Sequence, residues 1–209
     1  GTKKVFIESF GCQMNKLDSE LVLGRLSREG YELTGEEKEA DLILLNTCSV
    51  REHAEERVYS RAGSLKGLKK RKPELIIGIL GCMAQNHQER VMARLPHVDL
   101  VIGPRELDTI PEHLRRLASS RRPLVVPNTE KTMVEEQYRT AEGRENPFQA
   151  YVKIMEGCDC SCSFCIVPSV LGRETSRPPE AIEREVEELA REGCVEITLL
   201  GQTVNAYGK

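Results

Sequence analysis

Short apolar runs alternate with amphipathic stretches through the first 126 residues of the chain. The apolar runs predict buried strands at Lys3–Phe10, Asp41–Thr47, Leu75–Leu80 and Val98–Ile102, with a short strand or turn at Tyr31–Thr34. The stretches between them predict helices at Asp18–Arg28, His53–Lys69, Gln88–Leu95 and Glu106–Leu117. Continuous apolar strands that alternate with helices are typical of an α/β fold with a mainly parallel sheet covered on both faces.

The pattern changes after this region. Residues 127–147 are polar and poor in large apolar side chains, and we interpret them as a linker between two domains, 1–126 and 148–209. The second domain opens with a strand at Ala150–Met155, continues with a helix from Arg177 to about Glu192, and reaches another strand at Val195–Leu200. This is one unit of a parallel barrel, and one unit cannot close a barrel. We therefore expect the first part of a (βα) partial barrel in a truncated chain.

Three cysteines each follow the carboxyl end of a predicted strand: Cys12, Cys48 and Cys82. Any one of them is uninformative, because cysteine is often buried, and three unrelated buried cysteines are the alternative interpretation. In an open α/β sheet, however, ligands bind outside the carboxyl ends of the strands. Cysteines from three strands would converge there, which favours a metal site in the first domain.

Four more cysteines crowd the loop that follows the first strand of the second domain. Cys158, Cys162 and Cys165 have the spacing C-x3-C-x2-C, and small residues between them let the chain wrap one object. A tetrahedral zinc ion needs a fourth ligand, whereas an iron–sulfur cluster held by three cysteines keeps one iron open. A zinc knuckle and a redox pair are the alternatives from the loop alone. Cys160 lies inside the loop as either a bystander or a substitute ligand.

Composition indicates which cellular compartment and which class of binding partner to expect. The 209 residues are 39% hydrophobic and 30% charged, with a formal net charge of −3, so the chain as a whole has no general attraction to nucleic acid. No apolar run is long enough to predict a membrane span, and the amino terminus has no secretory pattern. Eight cysteines without an export signal indicate a reducing compartment, and we expect a cytoplasmic protein.

Two local basic clusters depart from this balance. One is the run Lys66–Lys72, and the other comprises Arg115, Arg116, Arg121 and Arg122. A solvated helix end is the ordinary interpretation of each cluster. The run Lys66–Lys72 is nevertheless a candidate contact for a polyanion, because binding gains come from counterions released at each phosphate contact.

The cysteine loop also resembles a known signature. Its C-x3-C-x2-C spacing, with Phe164 just before the last cysteine, resembles that of the radical S-adenosylmethionine (SAM) enzymes. Four further blocks resemble the radical-SAM methylthiotransferases, and the first two resemble their tRNA-modifying branch: Gly11-Cys12-Gln13-Met14-Asn15, Asn46-Thr47-Cys48-Ser49-Val50-Arg51-Glu52, Gly81-Cys82-Met83-Ala84-Gln85 and Gly201-Gln202-Thr203-Val204-Asn205-Ala206-Tyr207. Together these blocks run through nearly the whole chain.

The resemblance implies two 4Fe-4S clusters. Cys12, Cys48 and Cys82 would hold an auxiliary cluster tied to sulfur insertion, and Cys158, Cys162 and Cys165 would hold a radical cluster whose open iron binds SAM. The resemblance also places Phe164 near the SAM adenine, and Gly201 and Gln202 near the SAM amino group. Core packing is the alternative for Phe164, and an ordinary strand end is the alternative for Gly201 and Gln202.

The activity that the resemblance implies is methylthio transfer to carbon 2 of an isopentenylated adenosine beside the tRNA anticodon. SAM would serve as both methyl donor and radical source, an external donor such as flavodoxin or ferredoxin would supply electrons, and the sulfur donor is open. Three alternatives stand beside it: a threonylcarbamoyladenosine tRNA as substrate, a ribosomal-protein aspartate as substrate, and an iron–sulfur module without chemistry. A colourless zinc-stabilised module is a further alternative.

One segment departs from the family pattern. Ser169-Val170-Leu171 stands where the family has Tyr-Thr-Arg, so the local contacts to SAM or substrate are expected to differ. The fragment by itself is expected to be inactive, because a closed barrel and an RNA-binding domain are required for the whole reaction.

Overall fold

The computed structural model of the protein describes residues 2–49, 52–130, 144 and 146–209, without the side chains of residues 52–54. Its first part is a sheet of six parallel strands in the order β2-β1-β3-β4-β5-β6. The strands are β1 Lys3–Phe10, β2 Tyr31–Leu33, β3 Leu42–Thr47, β4 Ile76–Gly81, β5 Leu100–Ile102 and β6 Leu124–Val126. The predicted α/β class with a parallel sheet is confirmed.

Helices pack on both faces of this sheet. They are α1 Gln13–Arg28, α2 Glu52–Ser64, α3 Lys66–Arg71, α4 Cys82–His87, α5 Glu89–Arg94 and α6 Ile110–Ser120. Every residue of the central strand β3 is buried, and its alternate side chains enter two apolar clusters, with Ile43 and Leu45 on one face and Leu42 and Leu44 on the other. A parallel strand covered on both faces requires this continuous apolar pattern. Among the described helices, none has the length and apolar character to cross a membrane.

The helix ends differ from the prediction at several places. Helix α1 begins at Gln13 instead of Asp18, because Cys12 and Asn15 form the capping contacts at its start. The predicted helix His53–Lys69 is divided at Leu65 into α2 and α3. The predicted helix Gln88–Leu95 is divided as well: α4 and α5 meet at Gln88, whose positive φ of 43° interrupts the helix.

Two further differences concern the end of the sheet. The predicted helix Glu106–Leu117 is a 3-10 helix at Pro104–Thr109 followed by α6, and the buried Glu106 accepts a hydrogen bond from the backbone N–H of Thr129 at 2.9 Å. Strand β6 is missed by the sequence pattern, because its three residues are only partly buried at the sheet edge.

The second part begins with strand β7 at Gln149–Lys153, which pairs in parallel with β10 at Glu196–Leu200. Helix α8, Pro179–Arg191, forms the crossover between them. The predicted strand Ala150–Met155 is divided at Ile154, after which β8 Met155–Glu156 pairs antiparallel with β9 Thr175–Ser176. Helix α7, Val167–Leu171, lies in the loop that this small pair encloses. This region corresponds to the predicted first part of a (βα) barrel.

The predicted linker, residues 127–147, falls partly outside the described residues, since 131–143 and 145 are not among them. The described start of the segment is firmly held between the two parts. Asn128 accepts a hydrogen bond from the backbone N–H of Arg105 at 3.0 Å and donates one to the carbonyl of Val170 at 2.7 Å. Arg144, near its other end, is buried and lies 2.8 Å from a carboxylate oxygen of Glu192. The boundaries at residues 126 and 148 stay a prediction.

Candidate functional site

The first three cysteines stand at the ends of neighbouring strands. In the sheet, β1, β3 and β4 are adjacent, and their last residues are in register, since Phe10 pairs with Thr47 and Thr47 pairs with Gly81. Cys48 and Cys82 directly follow two of these residues, and Cys12 is two positions beyond the third. The sheet therefore brings the three cysteines, which are far apart in sequence, to one edge. The order of the strands also reverses between β1 and β3, which is where open α/β sheets bind ligands.

Buried amides hold the loops that carry Cys12 and Cys48. Asn15 donates hydrogen bonds to the side chain of Asn46 at 3.2 Å and to the carbonyl of Thr47 at 2.9 Å. Asn46 donates in return to the carbonyl of Asn15 at 2.8 Å and to the hydroxyl of Ser19 at 3.0 Å. These residues belong to the blocks on which the family resemblance rests, but the sequence alone assigns them no role. The structure shows that they connect α1 to β3 directly beneath the cysteines.

Replacing Asn46 by leucine is expected to loosen this support. Leucine removes both donors and leaves the buried carbonyl of Asn15 without that bond. If the three cysteines bind a cluster, its affinity should fall ~10- to 100-fold, as it does when groups that orient metal ligands are lost. Iron release to a chelator would measure the change. Asn86→Leu, on the exposed face of α4, is the matched control, and equal iron retention in both variants would contradict the role of Asn46.

The environments of the first three thiols are unequal. The pKa of Cys12 is lowered to about 5, because the Cys48 side chain hydrogen-bonds to it and backbone N–H groups at the start of α1 surround it. Burial raises the pKa of Cys82 to about 12, and the nearby charges of Asp18 and Cys12 add to the effect. A helix N-terminus favours thiolate, and thiolate is the form that binds metals. Of these two thiols, Cys12 is therefore the one whose surroundings favour the thiolate.

A cavity of about 360 Å³ lies between this edge of the sheet and the second part of the chain. All three thiol residues line it, together with apolar side chains of α7. Gly201 and Gln202, which follow β10, line the same cavity, and the buried Oε1 atom of Gln202 has no hydrogen-bond partner within the described part of the chain. The predicted cofactor residues Gly201 and Gln202 therefore face the Cys12 group.

The other cysteines line a second, more open hollow of about 640 Å³. Its walls contain all four thiol residues of the loop: Cys158, Cys160, Cys162 and Cys165. The β8–β9 pair closes the base of the loop, and Gly157 stands there with a φ of +82°. A Cβ atom at Gly157 would lie 2.2 Å from the carbonyl oxygen of Arg173, so only glycine fits at this entry to the loop.

Within this loop, Cys158 is buried, whereas Cys160 and Cys162 are exposed. The Cys158 sulfur lies 3.2 Å from the hydroxyl of Thr203, and this hydrogen bond lowers the pKa of Cys158. The backbone N–H of Cys160 also donates to that sulfur at 3.5 Å, and the proximity of Cys158 raises the pKa of Cys160. Thr203 thus connects the loop to the chain segment that carries Gln202. Because all four thiols line one hollow, the choice of three ligands among them stays a prediction.

Phe164 is 91% exposed beside this hollow. Among the described residues, Phe164 does not pack in a core, so these residues give no support to the alternative of core packing. An exposed aromatic ring next to the cysteine loop is available to stack on a planar ligand, and its assignment to the SAM adenine stays a prediction. Ser169 lines the same hollow, whereas Val170 and Leu171 are buried and line the cavity of the Cys12 group. The segment that departs from the family pattern therefore forms an apolar wall between the two sites.

The donor atoms of both sites suit a cluster. No three His, Cys, Asp or Glu side chains within the described ranges converge as the ligands of a single metal ion would. A four-iron cluster held by three thiolates keeps one iron open, whereas a zinc ion needs a fourth ligand. Thiols bind both, so the choice between a cluster and a zinc ion stays a prediction.

A group of charged side chains, most of them buried, lies beside the first cavity and is not predicted from the sequence. Lys153 on β7 lies 3.0 Å from Asp18 on α1 and 3.3 Å from Glu156, and Glu156 also lies 3.4 Å from Arg105. Burial by itself would lower the pKa of Lys153, but the two carboxylates raise it above its usual value. Burial raises the pKa of Asp18. A lysine inside the apolar strand Ala150–Met155 is the one sequence signal that points to this group.

The basic run Lys66–Lys72 lies at the opposite edge of the sheet. Lys69 is 2.8 Å from Asp99, which precedes β5, and Lys72 is 2.8 Å from Asp41, which precedes β3. Both carboxylates stand at the amino ends of strands, whereas the cysteines stand at the carboxyl ends. Two cations of the run are thus neutralised and far from the thiols, which weakens the run as a contact for substrate RNA at the site.

Two known families match the two parts of the chain separately. Residues 4–103 match the family described as "Uncharacterized protein family UPF0004". Residues 152–209 match the radical SAM superfamily. The first match contains the Cys12, Cys48 and Cys82 group, and the second contains the cysteine loop.

Curated relatives match both halves together. A tRNA-2-methylthio-N(6)-dimethylallyladenosine synthase of Rhodopirellula baltica is 47% identical over 99% of this chain and 45% of its own length. A protein of the same name from Dictyoglomus thermophilum is 48% identical over 99% of this chain and 46% of its own length. The chain therefore spans slightly less than half of the relatives that it matches.

Solved structures show the same fold at much lower identity. The radical S-adenosylmethionine methyltransferase TsrM of Kitasatospora setae, solved with tryptophan and a SAM analogue, matches 98% of this chain and 49% of its own with a TM-score of 0.61 at 12% identity. A second structure of that enzyme, with cobalamin and a 4Fe-4S cluster, has a TM-score of 0.57. The two family matches each contain one of the two thiol sites, and the chain combines a UPF0004 region with a radical SAM region in a sequence similar throughout to the tRNA-2-methylthio-N(6)-dimethylallyladenosine synthases.

Proposed function

We propose that this chain carries the two cluster sites of an enzyme that transfers a methylthio group to carbon 2 of a dimethylallylated adenosine in tRNA. The observation that carries the proposal is the cavity in which Cys12, Cys48 and Cys82 face the strand end at Gly201 and Gln202. A site for a sulfur-bearing cluster and a strand end of the radical-SAM region thus open into one space. The names of the relatives supply the substrate and the reaction.

In this proposal the two thiol groups have different tasks. Cys12, Cys48 and Cys82 bind an auxiliary 4Fe-4S cluster, and Cys158, Cys162 and Cys165 bind the radical one. When bound there, SAM would supply the radical chemistry that an unactivated aromatic carbon requires. Side chains cannot perform that step by acid–base chemistry, so the cofactor carries it and the protein positions the reactants.

In this proposal, residues of the chain hold and orient SAM. Phe164 is exposed beside the cysteine loop and would stack on the SAM adenine, while Gln202, which lines the cavity, would contact the SAM ammonium group. Val170 and Leu171 form an apolar wall that keeps water from the space between the sites. The open hollow around Cys162 is accessible to an external electron donor such as flavodoxin or ferredoxin.

The substrate assignment is tested with the enzyme at the full length of its relatives. Incubated with SAM and a reductant, it is expected to add one methylthio group to tRNA that carries dimethylallyladenosine and none to ribosomal subunits. Mass spectrometry of nucleosides and proteins would measure both. A methylthio group on a ribosomal protein alone would refute the tRNA assignment. Product only from threonylcarbamoyl-modified tRNA would retain the chemistry and change the substrate, and tRNA without either modification is the negative control.

A further inference from the structure

Three buried charges and one partly buried charge connect the two parts of the chain. Asp18 and Arg105 come from the first part, and Lys153 and Glu156 come from the second. They form a sequence of contacts: Asp18 to Lys153 at 3.0 Å, Lys153 to Glu156 at 3.3 Å, and Glu156 to Arg105 at 3.4 Å. Arg105 continues across the boundary by donating to the carbonyl of Arg173 at 3.0 Å. We call these four residues the charge bridge.

The charge bridge is attached to both thiol sites. Asp18 lies on α1, six positions after Cys12, which begins that helix. Glu156 stands two positions before Cys158, at the base of the second loop. Asp18 and Glu156 also line the cavity of the Cys12 group. A displacement along the charge bridge would therefore change the position of one cysteine group relative to the other.

Stabilisation of the fold does not by itself explain why these charged residues are buried together. Asp18, Lys153 and Glu156 are each at most 6% exposed, and moving an ion out of water is unfavourable. Apolar residues of similar volume often stabilise an interface equally well or better. Two apolar surfaces can shift against each other at little cost. Charged hydrogen bonds between specific atoms instead define one relative position of the two parts. The two positive and two negative charges also cancel, so the charge bridge needs no further counterion.

We propose that the charge bridge sets the relative position of the two thiol sites, and that Lys153 is a positioning residue for the transfer between them. The inference rests on the proposed function, because it concerns the step in which both sites act on one substrate. A displacement of about 1 Å between reacting groups costs on the order of 100-fold in rate. Losing the charge bridge should therefore slow transfer while each site by itself keeps working.

The test uses the full-length enzyme with the paired substitution Asp18→Asn and Lys153→Met. This pair removes one charge of each sign and leaves Glu156 with Arg105, so no buried ion is left without a partner and the protein should fold. The matched control is Lys69→Met with Asp99→Asn, a pair of the same type with a 2.8 Å separation inside the first part. Lys153→Met alone, which leaves Asp18 without its cation, is expected to be less stable than the paired variant.

Three comparisons with wild type are made: the function of each site by itself, the coupling between the sites, and the distance between them. Iron content and SAM cleavage without tRNA should stay within about twofold of wild type, since each site is intact. The ratio of methylthiolated nucleoside to 5′-deoxyadenosine should fall on the order of 100-fold. Pulsed electron paramagnetic resonance between the two reduced clusters should show a broader or shifted distance distribution. The Lys69 and Asp99 control should match wild type in all three.

Unchanged distances and an unchanged product ratio in the paired variant would overturn the proposal. Loss of iron from either site would also overturn it, because the charge bridge would then build a site instead of positioning two. If wild-type enzyme modifies no tRNA, the proposed function fails, but the distance measurement still decides whether the charge bridge positions the sites.

Discussion

Replacing Cys12, Cys48 and Cys82 together by alanine is expected to remove about half of the iron from the full-length enzyme, since each group of three would hold one cluster. Methylthio transfer should be abolished, while SAM cleavage at the other site continues. The structural reason is that all three residues line one cavity at the ends of adjacent strands and none of them lines the second hollow. Iron and acid-labile sulfide assays after anaerobic reconstitution measure the first effect, and mass spectrometry of tRNA measures the second.

Cys194→Ala is the matched control for this experiment. Cys194 is buried near the end of α8, where the Arg144 side chain donates to its sulfur at 3.0 Å, and it lines neither opening. Its loss should leave the iron content unchanged. An unchanged iron content in the triple variant itself would refute the auxiliary site. Loss of all iron would instead mean that the two sites depend on each other.

Cys162→Ser is expected to abolish the radical cluster and SAM cleavage, whereas Cys160→Ser should retain both. The spacing assigns Cys158, Cys162 and Cys165 as ligands, and the structure places Cys160 in the same hollow with its backbone N–H directed to the Cys158 sulfur. That contact uses the backbone of Cys160, so a serine side chain there preserves it. Visible absorbance of the reconstituted protein and the yield of 5′-deoxyadenosine under reducing conditions measure the result.

The two substitutions control for each other, because both place a hydroxyl in one exposed stretch of the loop. Retention of the cluster in Cys162→Ser together with its loss in Cys160→Ser would transfer the ligand role to Cys160. Retention in both variants would show that any three of the four thiols suffice. In either case the assignment of Cys162 would be wrong.

The strands are predictable from the sequence because a strand buried on both faces must be apolar along its length. Strand β3 meets this condition at every residue, and its prediction is confirmed within one residue at its start. Helix ends are less predictable, since they depend on contacts with other elements. Helix α1 begins at Gln13 because Asn15 caps the backbone of Cys12 and bonds to Thr47 at the end of β3, and no local apolar pattern marks that start.

The candidate site likewise has features that the sequence predicts and features that it does not. The positions of the cysteines after strands, together with parallel pairing, are enough to predict that Cys12, Cys48 and Cys82 meet. The spacing of the second group is local, so the loop itself can be identified directly. That Gly201 and Gln202 face the Cys12 group is not predictable, because it depends on how the second part packs against the first.

By itself the sequence determined the α/β class, the two groups of cysteines and the family resemblance, because each depends on periodicity, composition or spacing along the chain. Only the tertiary structure decided which groups share a cavity and which charges cross between the two parts. Lys153 and Asp18 are 135 positions apart, and nothing in their immediate neighbours records that they form an ion pair. The partner of a buried charge is determined by the packing of distant elements, and that packing is a property of the folded chain.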